Sequence, residues 1–336
     1  MGILAGAAEC HTGEAMSFGP PEPDELPGYV KRTLALAPED DGTLCATLVC
    51  KEGGLERTGE RGRVLYLHGY CDYFFQTHLA DAFTQAGYGF FALDLRRYGR
   101  SLRDHNRPNY ALYIDDYFEE ISASIALVAG DQPLSIVAHS TGGLLASLYA
   151  KRGLSRESVS ALILNSPFFR FPTSGLLELK LRLGRQVGKL LPKRPLPRAL
   201  NRVYGMTIHA SKQGSFAYDL GKKPLKGFPF YGGWIDMILS AQAEVERGLD
   251  LSLPVLCLHS DHSHTPGDAP TPEDFRADTV LRVEDIARLA PRLGRRVSVE
   301  AIVGGLHDLV LSAPEVRQLA IERMLSFLNE EAPASR

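Results

Sequence analysis

Leu134-Ser135-Ile136-Val137-Ala138-His139-Ser140-Thr141-Gly142-Gly143 joins an apolar run to a glycine pair through a single serine. Leu134–His139 follows Pro133 and reads as a strand buried on both faces. Gly142–Lys151 is small and apolar and reads as the helix after it. A serine between the two sits on a tight strand-to-helix turn. Small residues two before and two after it, Ala138 and Gly142, let the backbone fold that sharply and expose the hydroxyl. The helix N-terminus behind it favours developing negative charge.

The same kind of strand recurs on both sides of this turn. Val64–His68, Gly89–Asp94, Val159–Asn165, Val255–His259 and Val297–Val303 are short apolar runs. Helical spacing separates them, at Tyr110–Val128 and from Ser312-Ala313-Pro314-Glu315, a capping box, to about Leu328. Such alternation predicts an open, mostly parallel α/β sheet. Arg170–Asp250 breaks the rhythm and is too long for a simple crossover. Nine Lys and Arg against one acid, Glu178, lie between Arg170 and Arg202, so this stretch reads as a locally basic helical lid or cap. Its basic face is either plain solvated surface or a surface for peripheral contact with anionic lipid or an anionic substrate.

Composition narrows the classes further. With 37 Lys+Arg against 40 Asp+Glu, the net charge of −3 offers no reason to expect a nucleic-acid partner. No apolar run approaches the roughly 20 residues of a membrane helix. Five cysteines (Cys10, Cys45, Cys50, Cys71 and Cys257) are widely spaced without a CxxC pair. That spacing argues for a reducing, cytoplasmic compartment and against a zinc or disulfide framework. The first 30 residues lack the basic start and apolar core of a secretory signal. Met1-Gly2 opens like a myristoylation site, but Gly6 stands where Ser or Thr is needed. Gly19-Pro20-Pro21-Glu22-Pro23 reads as a flexible or extended arm.

A serine hydroxyl is a weak nucleophile at neutral pH and needs a base. On this kind of sheet the partners follow in the order Ser, acid, His. His307, in Gly304-Gly305-Leu306-His307-Asp308 just after the last strand, fits the base; His259 and His139 are strand-end alternatives. The acid belongs after Val255–His259. Asp261 is there at once, but Asp261–Ala277 looks like a Pro-rich insertion, and Asp278-Thr279-Val280-Leu281 follows it. Asp278 is favoured over Asp261, with Asp268 and Asp274 as outsiders. His68-Gly69-Tyr70-Cys71 follows a strand, so the N–H groups of Tyr70 and Thr141 could converge on an oxyanion.

With these pieces the sequence resembles the α/β-hydrolase superfamily, in its monoacylglycerol lipase and serine-aminopeptidase-like branch. The likeness rests on His68-Gly69-Tyr70, Asp94-Leu95-Arg96-Arg97-Tyr98-Gly99-Arg100-Ser101, Ala138 to Gly143, Asp278 to Leu281 and Gly304 to Asp308, from about Thr33 to the C-terminus. It implies an α/β-hydrolase fold: an eight-stranded, mostly parallel sheet with helices on both faces and an inserted helical cap. The implied layout is an arm over 1–30, a core over 31–169 and 251–336, and a cap over 170–250. It also implies a Ser140–Asp278–His307 triad with oxyanion donors Tyr70 and Thr141, without metal or organic cofactor. Ala138 and Arg97 stand where the family usually has glycine.

The expected reaction is cleavage of carboxylic esters through an acyl-enzyme on Ser140. A small-molecule acyl ester, lipid-like or aryl/alkyl, is the expected substrate, a monoacylglycerol or lysophospholipid for example. Phe168, Trp234 and Met237 are placed near the pocket by position alone. A peptidase or acyltransferase using the same triad, and a ligand-binding module without turnover, are the alternatives. His259, Asp261, His262, His264 and Asp268 could gather round a divalent metal, but read better as a polar loop.

Overall fold

The computed structural model describes residues 17–55, 61–172, 176–196 and 201–331. Cys10, Met1-Gly2 and Gly6 lie outside them. Nine strands form one sheet: β1 (Glu22–Pro23), β2 (Tyr29–Glu39), β3 (Gly42–Lys51), β4 (Arg63–Leu67), β5 (Gly89–Asp94), β6 (Leu134–His139), β7 (Val159–Asn165), β8 (Val255–Ser260) and β9 (Val297–Ile302). Their spatial order is β1-β2-β3-β5-β4-β6-β7-β8-β9. The first three and β5 pair antiparallel; every pair from β5 to β9 is parallel.

Eight helices accompany the sheet among the described residues: α1 (Thr77–Gln85), α2 (Phe118–Val128), α3 (Thr141–Arg152), α4 (Leu176–Leu190), α5 (Arg202–Ile208), α6 (Gly232–Arg247), α7 (Val283–Leu289) and α8 (Pro314–Glu331). The central strands divide their side chains between two apolar layers. Leu65 and Leu67 of β4 enter the layer with α2, α3, α6 and α7, while Val64 and Tyr66 enter the layer with α1 and α8. A strand covered on both faces is apolar along most of its length, which is why Val64–Leu67 of β4 and Ile136–Ala138 of β6 read as unbroken runs.

The structure corrects several sequence expectations. The ninth strand is β1, two residues long, paired with β2 through Glu22–Lys31 and Pro23–Val30. The proline-rich stretch is therefore tied to the sheet rather than loose. Asp24 behind it holds the guanidinium of Arg100 at 2.6 and 2.8 Å. The helix expected over Tyr110–Val128 starts as a short 3-10 turn at Ile114–Tyr117, and only Phe118–Val128 is α-helical. The helix expected from Ser312-Ala313-Pro314-Glu315 forms over Pro314–Glu331, and the Ser312 hydroxyl accepts the N–H of Leu306, one residue before His307.

Arg97 shows how a missing glycine is replaced. Its φ is +64°, the left-handed region that glycine would favour. Its side chain is fully buried, with hydrogen bonds to Glu39, Asp41 and the carbonyl of Tyr110. The strained backbone costs about 1–2 kcal/mol, and the side chain anchors the β2–β3 turn in exchange. Arg97→Gly would relieve about 1 kcal/mol of that strain. It would also take the buried guanidinium from Glu39 and from Asp41, which keeps Arg107 at 3.6 Å, at about 3 kcal/mol. A net loss of about 2 kcal/mol follows, readable as a lower denaturant midpoint. A midpoint at or above wild type would mean that backbone strain outweighs the ion pairs.

Candidate active site

Ser140 leaves β6 with φ 52° and ψ −117°, a conformation that costs a non-glycine residue about 1–3 kcal/mol. The residues around it permit this. A Cβ on Gly142 would stand 2.5 Å from the carbonyl oxygen of His68 and 2.6 Å from that of Leu67. Only glycine lets α3 start hard against the end of β4. The Ser140 N–H donates to the carbonyl of Asn165 at 3.0 Å, and its own carbonyl accepts the N–H of Phe168 at 2.9 Å.

Three of the residues singled out in the sequence meet here. His307 Nε2 lies 3.0 Å from Ser140 Oγ, and His307 Nδ1 lies 2.9 Å from Asp278 Oδ2. All three are buried, Ser140 at 7% exposure and Asp278 at 0%, so little water competes for these bonds. The other carboxylate oxygen of Asp278 accepts the N–H groups of Val280 and Leu281 at 2.8 and 2.7 Å. That leaves one oxygen free to face the imidazole. Such a hydroxyl–imidazole–carboxylate chain can pass the serine proton to histidine as the oxygen attacks a carbonyl.

The Asp261–Ala277 excursion returns to where it left. Asp278 bridges Ser263, donating its N–H to His262 and accepting that of His264. The insertion thus displaces the acid in sequence but not in space. Asp261 faces away from His307: it accepts the N–H of Gly304 at 2.8 Å and pairs with His262. Asp274 accepts from Thr271, and the carbonyl of Asp268 accepts from Arg202. The five-residue His/Asp set is not brought together. His259 bonds the Ser260 carbonyl, His262 sits between Asp261 and Glu273, and His264 turns to Asp274.

The loop with Tyr70 is braced from both ends. His68 Nε2 accepts the N–H of Leu95, which leaves Nδ1 to donate to Gly69 O at 2.8 Å. Asp94 accepts the N–H of Phe74 and two bonds from Arg100, so the Asp94–Ser101 motif is a strut behind this loop. The Tyr70 ring packs on Trp234 and Phe230 from the segment between β7 and β8, at centroid distances of 4.4 and 4.9 Å. Thr141 is the first residue of α3, so its N–H has no acceptor within the helix. Phe168 and Met237 are buried in the same apolar layer as Trp234. A cavity of about 290 Å³ lies between α4 and α6, with Phe169, Leu181, Leu239 and Leu289 on its walls. Ser140 is not on its wall.

Sequence reading missed the residues behind the site. Lys223, from the segment between β7 and β8, is buried and bonds Asp72 Oδ1 at 2.5 Å. Asp72, His139 and Asp308 offer ligand atoms within 4.8 Å of one another. Lys223 takes Asp72, while Asn165 and Gln76 take Asp308, which accounts for both carboxylates. Burial pushes the Asp72 carboxyl up, but its surroundings, the Lys223 ammonium first among them, outweigh it and hold the group below its usual value. Burial holds His139 below the usual histidine value. Tyr204, from the same segment between β7 and β8, sits edge-on to His307 at 5.7 Å. No motif marks these residues; a lysine in a stretch without a pattern gives no signal of burial.

A mostly parallel sheet covered on both faces, a strained serine at a strand–helix turn and a histidine on the last strand's loop define an α/β-hydrolase. The family model described as serine aminopeptidase, S33, matches residues 58–313. The chain therefore belongs to that family. It is 29% identical over 281 residues to the monoacylglycerol lipase of Mycolicibacterium smegmatis, covering 81% of this chain and 89% of that protein. Among solved structures it shares the fold of a monoglyceride lipase from Saccharomyces cerevisiae (TM-score 0.64, 16% identity, 96% and 97% of the two chains). It likewise shares that of the Paleococcus ferrophilus monoacylglycerol lipase (TM-score 0.62, 18% identity, 82% and 96%).

The Lys223–Asp72 pair sets a pH test. The folded pKa of Asp72 lies below its unfolded value, so its contribution to stability is present above the unfolded pKa. That contribution is lost as pH falls through the folded one. Lys223→Met leaves burial as the main influence. The variant is expected to be less stable near neutrality, by about 3 kcal/mol or more, with the gap to wild type narrowing as pH falls, because protonation of Asp72 relieves the penalty in the variant and removes the ion pair in wild type. Coincident acid-unfolding curves would remove Lys223 as the partner that keeps Asp72 charged.

Proposed function

We propose that the chain is a carboxylic-ester hydrolase working through an acyl-enzyme on Ser140. The observation that carries this reading is the unbroken chain from Ser140 Oγ to His307 to Asp278, at 3.0 and 2.9 Å. Membership of a hydrolase family and the likeness to monoacylglycerol lipases support it.

His307 takes the hydroxyl proton as Ser140 Oγ bonds to the ester carbonyl carbon. The oxygen of that carbonyl becomes an anion held by the N–H groups of Tyr70 and Thr141. Collapse expels the alcohol, which receives the proton from His307. A water then gives its proton to His307 and attacks the acyl-enzyme. The acid leaves, and the proton returns to Ser140. Asp278 keeps Nδ1 protonated and stabilises the imidazolium throughout.

Residues 170–250 form the cap over this site in the same reading. Four contacts support it: Trp234 and Phe230 on Tyr70, Tyr204 on His307, and Lys223 on Asp72. The aromatic surround favours an acyl group of lipid-like or aryl character over a charged one. Cytoplasmic residence is part of the proposal. No helix among the described residues is long and apolar enough to cross a membrane. Contact with a bilayer would instead be peripheral, through α4, where Leu179, Leu183 and Leu190 are 53%, 60% and 81% exposed. Several neighbouring cations are already paired inside the chain, Arg185 with Asp236 and Lys193 with Asp40. The leucines rather than the charge therefore support that contact.

The family description keeps one second reading in view, a peptidase, because amide and ester cleavage share this chemistry. Wild type is expected to take up one fluorophosphonate per chain at Ser140, mapped by mass spectrometry, and Ser140→Ala none. Ester turnover should fall at least about 10³-fold in that variant. Faster cleavage of an aminoacyl arylamide than of aryl esters would move the assignment to the peptidase. A folded wild-type protein that takes up no probe would leave a binding module without turnover. For α4, Leu179→Ser with Leu183→Ser should weaken co-sedimentation with anionic vesicles; unchanged sedimentation would remove α4 as the contact.

A further inference from the structure

Asn165 ends β7 beside the end of β6, its Cα paired with that of His139. It is 2% exposed and uses both its main chain and its side chain. Its carbonyl accepts the Ser140 N–H at 3.0 Å and His139 Nδ1–H at 3.2 Å. Its side chain reaches the other way. Nδ2 donates to Asp308 Oδ1 at 2.7 Å, and Oδ1 accepts the N–H of Leu309 at 3.2 Å. One residue thus holds the turn that carries Ser140 and the loop that carries His307, which are 167 positions apart in the chain.

We infer that Asn165 is a positioning residue that sets the Ser140–His307 distance, an inference that rests on the nucleophile and base assigned above. The loop presents a carboxylate and an N–H side by side, an acceptor next to a donor. Only a side chain with a donor and an acceptor on one planar group answers both at this reach. Aspartate has the same length but would set a second carboxylate against Asp308. Leucine has a similar shape but leaves the buried Asp308 oxygen and Leu309 N–H without that partner. Asp308 has other support, from the Val310 N–H at 3.2 Å and Gln76 Nε2 at 3.3 Å. The loop therefore stays attached when Asn165 is changed, but loses its tie to the serine turn. A small displacement of base from nucleophile is enough to cost about 10²-fold in rate.

The test compares wild type, Asn165→Leu, Asn165→Asp and the exchange Asn165→Asp with Asp308→Asn. Each is measured for fluorophosphonate labelling rate and for kcat and KM on a short-chain aryl ester, per folded molecule as read from the unfolding amplitude. Both single variants should lose about 10²-fold in labelling and kcat, with KM changed little. The exchange keeps one charge in the pair and reverses its polarity. It should recover much of the loss of Asn165→Asp. Folded single variants that label and turn over at the wild-type rate would overturn the inference, as would an exchange no faster than Asn165→Asp. Failure of the wild type to label at Ser140 would remove the nucleophile assignment itself, and this inference with it. Labelling of wild type at Ser140 with unchanged Asn165 variants would remove the inference alone.

Discussion

The backbone of Ser140 can stay in its strained conformation only because the chain on either side has nowhere else to go. Its N–H and carbonyl are both held, by Asn165 and Phe168, and Gly142 lies against the last carbonyls of β4. Relaxing the serine would break two buried hydrogen bonds and push a helix off the sheet. The strain of about 1–3 kcal/mol is small against that. Every other element of the site is placed relative to this turn. His307 reaches it from β9, Asp278 supports His307 from beyond β8, and the Tyr70 loop closes the remaining side.

The long segment between β7 and β8 is not a detachable cover. Helix α6 buries Trp234, Ile238, Ala241 and Val245 in the same apolar layer as α3 and the sheet. Its neighbours send an ammonium to Asp72 and a ring to His307. Separating a buried lysine from a buried aspartate exposes two unpaired charges to a poor solvent, which costs several kcal/mol. The inner part of the segment therefore belongs to the framework of the site. The exposed leucines of α4 lie on its outer part.

What could be read from the sequence follows burial. Strands covered on both faces, such as β6 and β7, appear as continuous apolar runs, and the Ser140 turn and the His307 loop each carry glycines with a steric reason. Strands β2 and β3, eleven and ten residues long and paired at nine positions, are absent from the sequence reading. In β2 the half-exposed Lys31, Arg32 and Thr33 interrupt the apolar pattern, while in β3 the buried Thr47 divides the run from Leu44 to Cys50. The choice between Asp278 and Asp261 turned on a bridge from Ser263 to Asp278, a tertiary contact that neither residue advertises. Asn165 left a faint trace, a polar amide closing an otherwise apolar run. Lys223 left none, because its partner lies 151 residues away.

The two-residue strand β1 has an effect out of proportion to its length. A sheet ends in a row of unsatisfied N–H and C=O groups, and β2 would present eleven residues of it to any other extended chain. Glu22–Pro23 occupies part of that row, and the proline, having no N–H, cannot pass the pairing on. Asp24 then bolts the segment to Arg100, which itself braces the Tyr70 loop through Asp94. The residues before β2 therefore blunt an adhesive margin of the sheet and, through one guanidinium, connect that margin to the Tyr70 loop of the site.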